Sequence, residues 1–145
     1  QTPMYMSATY TDARFMSSVG SDDTESIFSG AVQDNMLPYV PEISVSWGFG
    51  AIYKKLSANI DANFVSSAYA DGSNMGSLTP ASERFGKIDS RIVIDGAMGY
   101  QYSSKVRIFA NIRNIGNTAY IVSRQPEGPR PGAPLTVMGG LEFNL

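Results

Sequence analysis

Residues 43 to 53 place Ile43, Val45, Trp47, Phe49, Ala51 and Tyr53 at every second position, with Ser44, Ser46, Gly48, Gly50 and Ile52 between them. This alternation constrains the fold more than any other feature of the chain. A helix would scatter these apolar residues around its circumference, whereas a strand collects them on one side of the pleat. The next segment repeats the pattern, with Leu56, Ala58, Ile60, Ala62 and Phe64 alternating against Ser57, Asn59, Asp61 and Asn63. Only Lys54-Lys55 separates the two, which predicts a tight hairpin. A second hairpin turns at Ser103-Ser104: Ile92, Ile94, Gly96, Met98, Tyr100 and Tyr102 precede it on one face, and Val106, Ile108, Ala110 and Ile112 follow. Leu135, Val137, Gly139, Leu141, Phe143 and Leu145 close the chain in the same way, and Met4, Met6, Ala8 and Tyr10 open it more weakly.

The expected strands run near residues 4–16, 41–53, 56–69, 89–102, 105–115 and 135–145, with long polar loops over 17–38, 70–88 and 117–134. Such loops are uncommon in compact soluble domains, where the median connection is roughly four to six residues. Short turns alternating with long loops, on strands of about ten residues, are the pattern of outer-membrane barrels. Aromatic residues fit that pattern. Tyr53, Tyr100, Tyr102 and Phe143 fall at the short-turn end of the apolar face as an expected girdle, and Tyr39, Tyr69 and Tyr120 fall near the long-loop end. The reading is therefore all-β, an antiparallel transmembrane β-barrel segment. A soluble β-sandwich also alternates with one apolar face. Against it stand a polar face rich in Gly, Ser and Asn and the two aromatic rows at opposite strand ends.

The chain has 145 residues, which bounds it to one domain or part of one. It contains neither Cys nor His, so it offers no thiolate or imidazole for a structural zinc, a haem or a Ser-His-Asp triad. No enzyme activity and no cofactor are expected. With Lys+Arg 11 against Asp+Glu 13 and no basic run, nucleic acid is not an expected partner. No apolar run is long enough for a transmembrane helix.

A sheet facing hydrocarbon must have its backbone paired at both edges, and six strands are too few to close around Asp61, Arg91, Asp95, Arg107, Arg113 and Glu142, all on the inward, lumen-facing side. The expectation is that further strands lie upstream or that copies assemble into one barrel, the former as a passive porin or active receptor, the latter as a homo-oligomeric pore. Gln1-Thr2-Pro3-Met4 carries neither a charged nor an apolar leader region, which favours a C-terminal segment of a longer protein.

The last third contains Asn111-Ile112-Arg113-Asn114-Ile115-Gly116-Asn117, then Tyr120, then Ser123-Arg124-Gln125-Pro126-Glu127-Gly128-Pro129-Arg130-Pro131-Gly132-Ala133-Pro134, and a strand ending Leu141-Glu142-Phe143-Asn144-Leu145. It resembles the C-terminal end of a TonB-dependent outer-membrane receptor. Tyr10-Thr11-Asp12-Ala13-Arg14-Phe15 and Leu37-Pro38-Tyr39-Val40-Pro41 resemble two further landmarks of that family in the right order. The Ser-Arg-x-Pro and Arg-Pro-Gly-x-Pro spacing is most similar to the ferric-citrate and ferric-siderophore branch. Leu135 stands where the family usually has Arg or Lys, and Leu145 where it usually ends in an aromatic.

The resemblance implies the last six strands of a barrel of roughly 22, occluded by a plug encoded upstream, in the outer membrane of a Gram-negative cell. It implies uptake of a ferric chelate, energised through TonB, with lipid and lipopolysaccharide around the barrel. Arg124 and Arg130 sit among four prolines that stiffen the loop, and a guanidinium meets carboxylate oxygens two at a time. Together with Arg113 they are the candidate ligand contacts, with loop anchoring or lipopolysaccharide contact as the alternative. The inward charges are expected to brace the wall or line the path. Asp22-Asp23-Thr24-Glu25 and Asp71-Gly72-Ser73-Asn74 lack the spacing of a calcium loop and are expected to be solvated. No resident metal is expected.

Overall fold

A computed structural model describes residues 1–20, 26–76 and 84–144. The described residues form ten strands and no helix: β1 (Met4–Tyr10), β2 (Ile43–Tyr53), β3 (Leu56–Val65), β4 (Ala68–Tyr69), β5 (Lys87–Ile88), β6 (Arg91–Gln101), β7 (Val106–Arg113), β8 (Ile121–Ser123), β9 (Arg130–Pro131) and β10 (Thr136–Phe143). Six of them make one antiparallel sheet in the order β1-β2-β3-β6-β7-β10. The short strands pair as β4-β5 and β8-β9, within the segments that connect the long ones.

Register follows the alternation. Tyr53 pairs with Leu56, Phe49 with Ile60 and Val45 with Phe64 across the first hairpin, so the apolar faces of β2 and β3 coincide. β6 continues the face, Phe64 opposite Ile92 and Leu56 opposite Tyr100, and Tyr100 in turn pairs with Ile108 of β7. Trp47 and Phe49 stack on this face with centroids 6.5 Å apart. Nothing among the described residues covers it: Trp47, Phe49, Ile60, Ile92, Met98, Leu141 and Phe143 are all exposed. The tightly buried apolar side chains are instead Ala31, Ala68, Ala70 and Ile88, all in or beside the long connections. A sandwich needs a second sheet over the apolar face, and the described residues supply none. The sheet is not closed, since β1 and β10 each have one neighbour.

The strands follow the alternation and are shorter than their expected bounds. β1 ends at Tyr10 rather than near 16, because the chain leaves the ladder after the Thr11 N–H bonds Glu42. It continues as an irregular pairing: the Leu37 N–H bonds Ala13, the Phe15 N–H bonds Asn35 and the Val19 N–H bonds Ala31. Likewise β3 stops at Val65, and Ala68–Tyr69 starts a separate ladder with Lys87–Ile88.

Three glycines on the polar face lie under side chains of the next strand. A Cβ on Gly48 would overlap the ring of Tyr5, its direct partner on β1, and one on Gly140 would stand 2.5 Å from the Phe109 ring, its partner on β7. A Cβ on Gly99 would stand 2.8 Å from the Arg107 guanidinium. With Gly48 bare, Tyr5 reaches across β2 and its hydroxyl donates to Asp61 on β3 at 2.9 Å, so one side chain ties three strands. Overpacking of such a contact costs about 1–3 kcal/mol. Gly48→Ala is therefore expected to lower the denaturant midpoint of the complete barrel with its m-value unchanged, read by heat-modifiable electrophoretic mobility. Gly139→Ala, on the opposite face and with nothing nearer than 3.6 Å, should leave it in place.

Candidate functional site

The polar face carries the inward charges in two arrangements. Arg107 and Glu142 are cross-strand partners with an N–O distance of 3.6 Å. Asp61 and Asp95 also stand directly opposite each other, an arrangement that repels. Each has its own donors: Asp61 accepts from Tyr5 and from the Asn59 amide at 2.7 Å, and Asp95 from the Asn114 N–H at 2.8 Å. Arg113, at the end of β7, is exposed and lines the same open hollow of about 280 Å³ as Asn59, Asp61, Asp95 and Asn111. Asp61, Arg91, Asp95, Arg107, Arg113 and Glu142 thus share the polar face, which the alternation places away from the apolar one.

At the short-turn end, Tyr53, Tyr102 and Phe143 lie on or beside the apolar face and are 65% to 68% exposed, and Tyr100 is exposed as well. The other aromatic row differs from expectation. Tyr39, Tyr69 and Tyr120 are half-buried among the long connections and do not extend the apolar face. Tyr10, at the end of β1, and Phe28, in the first long connection, are exposed at that end.

Tyr39 is the centre of the loop cluster. It takes a left-handed φ of 60°, its N–H bonds the Tyr69 carbonyl, and its hydroxyl oxygen accepts the backbone N–H groups of Arg124 at 3.3 Å and Gln125 at 3.1 Å. The Ser123 hydroxyl approaches the same oxygen at 3.4 Å. One phenol thereby joins the first long connection to the last, more than eighty residues later. Asp71 is 2% exposed and accepts from the Ser73 N–H and hydroxyl and from the Gly86 N–H at 3.0 Å. The Asn74 amide bonds both the N–H and the carbonyl of Met36. The Asp71-Gly72-Ser73-Asn74 segment is thus a buried joint between connections, not solvated loop. Asp22-Asp23-Thr24-Glu25 lies outside the described residues.

Arg124 has the geometry of the alternative role, loop anchoring. It is 7% exposed, and its Nε donates to the Lys87 carbonyl at 3.1 Å, so its guanidinium is turned into the loop cluster and does not project from it. Arg130 remains exposed in β9, and among the described residues no hydrogen bond or ion pair engages its side chain. Arg91 lies over the Tyr120 ring at 5.4 Å, and that ring in turn occupies the space a Cβ of Gly132 would fill. Asp89, Ser90, Asn117, Thr118, Tyr120 and Gly132 line an open cavity of about 520 Å³ at this place. Asn114 supports its rim: buried at a φ of 52°, it bonds Thr118 and the Ala133 carbonyl, pinning the two ends of the last connection together. In the first connection, Arg14 is bonded to Asp12 at 2.7 Å and lies 3.8 Å from Glu42. The Asp12 carboxylate foremost holds its guanidinium above the ordinary range, so it stays charged.

Removing the Tyr39 hydroxyl leaves the Arg124 N–H without its acceptor, a loss of about 1–3 kcal/mol for a buried donor. Tyr39→Phe in the complete protein is expected to raise the rate of proteolysis within 117–134 by about tenfold or more while leaving barrel mobility on gels unchanged.

No family model and no curated protein matches the chain. Solved structures do. The chain aligns with the siderophore receptor PiuA from Acinetobacter baumannii at a TM-score of 0.68 and 18% identity, covering 97% of this chain and 19% of that one. It aligns with the ferric citrate transporter FecA at 0.67 and 21%, covering 81% and 18%, and with the closed form of the ferric-catecholate import receptor Fiu from E. coli at 0.64 and 18%, covering 97% and 18%. The chain spans under a fifth of the length of these proteins. They are transporters and receptors rather than enzymes. What the likeness establishes is the fold: the six-stranded sheet has the architecture of part of the barrel wall of TonB-dependent receptors.

Proposed function

We propose that residues 1–145 are the C-terminal portion of an outer-membrane receptor barrel that takes up a ferric chelate, energised through TonB. The observation that carries this reading is the single uncovered apolar face, continuous over six strands whose fold is that of siderophore and ferric citrate receptors. In this reading the apolar face meets lipid, the polar face lines the lumen around an upstream plug, and the tied connections form the outer rim beside lipopolysaccharide.

The chain's own part in uptake is recognition at the mouth. Arg113 and Arg130 present guanidiniums without carboxylate partners among the described residues, and Arg91 has one face on Tyr120 with its N–H edge left for a ligand. Paired N–H donors in a plane suit the carboxylate or catecholate oxygens of an anionic iron chelate. Arg124 contributes from behind by holding the last connection in place. Transport then consists of binding, plug rearrangement and release into the periplasm, with no bond made or broken.

Cells expressing the complete protein are expected to accumulate radiolabelled ferric citrate or a ferric siderophore in a saturable manner that stops when TonB is deleted. Arg113→Ala and Arg130→Ala should each weaken chelate binding about tenfold, as loss of a charge-assisted hydrogen bond does, measured by calorimetry on the purified receptor. Uptake that is unsaturable and indifferent to TonB would instead indicate a passive porin.

A further inference from the structure

The two ends of the sheet differ in charge. Three of the four lysines, Lys54, Lys55 and Lys105, lie in the two short turns, and all three are exposed. The nearest carboxylate in the register, Glu142, is the partner of Arg107, and among the described residues no acid pairs with any of the three lysines. The turns are also tied to each other. The Lys55 Nζ donates to the Tyr102 carbonyl at 3.3 Å, and the Gln101 N–H bonds the Lys55 carbonyl at 2.8 Å, so the lysines of adjacent hairpins sit on one unit.

Beside them stand the exposed aromatics. Lys54 Nζ lies 5.2 Å from the centroid of the Tyr53 ring, which sets the ammonium at the level of that ring. Lys54 takes a φ of 52°, a left-handed conformation that glycine or asparagine adopts with less strain in a two-residue turn.

We propose that the short-turn end is a docking surface for the headgroups of anionic phospholipid, with Lys54, Lys55 and Lys105 as the contacts. The inference rests on the barrel reading, in which this end lies at the periplasmic leaflet. Amphipathic rings sit at headgroup depth, and ammonium groups level with them are placed to meet phosphate. Each basic residue near an anionic surface favours it by about fivefold in occupancy, the ratio equivalent to its electrostatic attraction.

The test uses the complete protein in nanodiscs of equal phosphatidylglycerol and phosphatidylcholine, with the lipids retained after detergent release counted by native mass spectrometry. Wild type and a triple lysine-to-arginine variant should retain phosphatidylglycerol over phosphatidylcholine by about fivefold or more, with the preference falling as salt rises. Lys54→Gln/Lys55→Gln/Lys105→Gln should retain the two equally. Lys105→Gln alone, away from the strained turn, should lose part of the preference even if the triple variant fails to fold. Equal preference in wild type and the glutamine variants, or a preference only in the presence of a periplasmic protein, overturns the proposal. Failure of the wild type to enter nanodiscs at all would instead overturn the membrane reading beneath it.

Discussion

The structure depends on the need to cover one broad apolar face. Six strands in continuous register collect their aliphatic and aromatic side chains on that face, and no second layer packs against it. In water such a surface far exceeds the apolar patches that soluble monomers leave open. In hydrocarbon the same surface is matched to its solvent, and the unmet demand moves to the backbone. Every N–H and C=O within the bilayer then needs a partner, including those on the free edges of β1 and β10. Closure with further strands answers both demands together.

The inner face shows how the wall carries charge and bulk without a packed core. Gly48, Gly99 and Gly140 open slots into which Tyr5, Arg107 and Phe109 of neighbouring strands lie, so polar-face side chains run flat along the wall. Tyr5 reaching Asp61 across Gly48 and Arg107 reaching Glu142 are the resulting ties. Flat side chains brace the sheet and leave the space over the polar face open. Conventional burial is concentrated at the other end, where the long connections fold onto one another around Asp71, Asn114 and Arg124. The rim is in this respect the most protein-like part of the molecule, and it is there that Arg91 lies over the Tyr120 ring that lines the open cavity.

What could be read from the chain and what could not divide along the range of the interactions involved. Strand faces are set by neighbours two residues apart, so the face on which Trp47, Ile60 or Ile94 lies was legible in the alternation itself. Strand ends were less so, because the irregular pairing of Ala13, Phe15 and Val19 with Leu37, Asn35 and Ala31 that follows β1 depends on residues further along the chain. Roles in the rim were not legible. Arg124 has the proline-rich setting of a projecting side chain, but its orientation is decided by Lys87 and Tyr39, far away in sequence. Asp71 begins a run of small polar residues that reads as open loop until Gly86 is brought against it. Tyr39 was visible as an aromatic near a strand end, and a phenol that faces lipid and one that accepts two backbone N–H groups have the same sequence signature. Asn114 had a local signal, an Asn-Ile-Gly-Asn turn suited to left-handed backbone, though its bonds to both ends of the connection had none.

The most direct test of the account is an alternation experiment on β3. Residues 1–145 contain no cysteine, so single cysteines at each of residues 56 to 64, placed in the complete protein with any cysteine outside this segment replaced, give an uncomplicated reading in the membranes of cells that express it. Probes at Leu56, Ala58, Ile60, Ala62 and Phe64 are expected to be quenched by a lipid-borne quencher and protected from a water-soluble thiol reagent. Those at Ser57, Asn59, Asp61 and Asn63 should behave in the opposite way. Uniform reaction with the water-soluble reagent, or protection without the period of two, would contradict a sheet that faces lipid on one side and a lumen on the other.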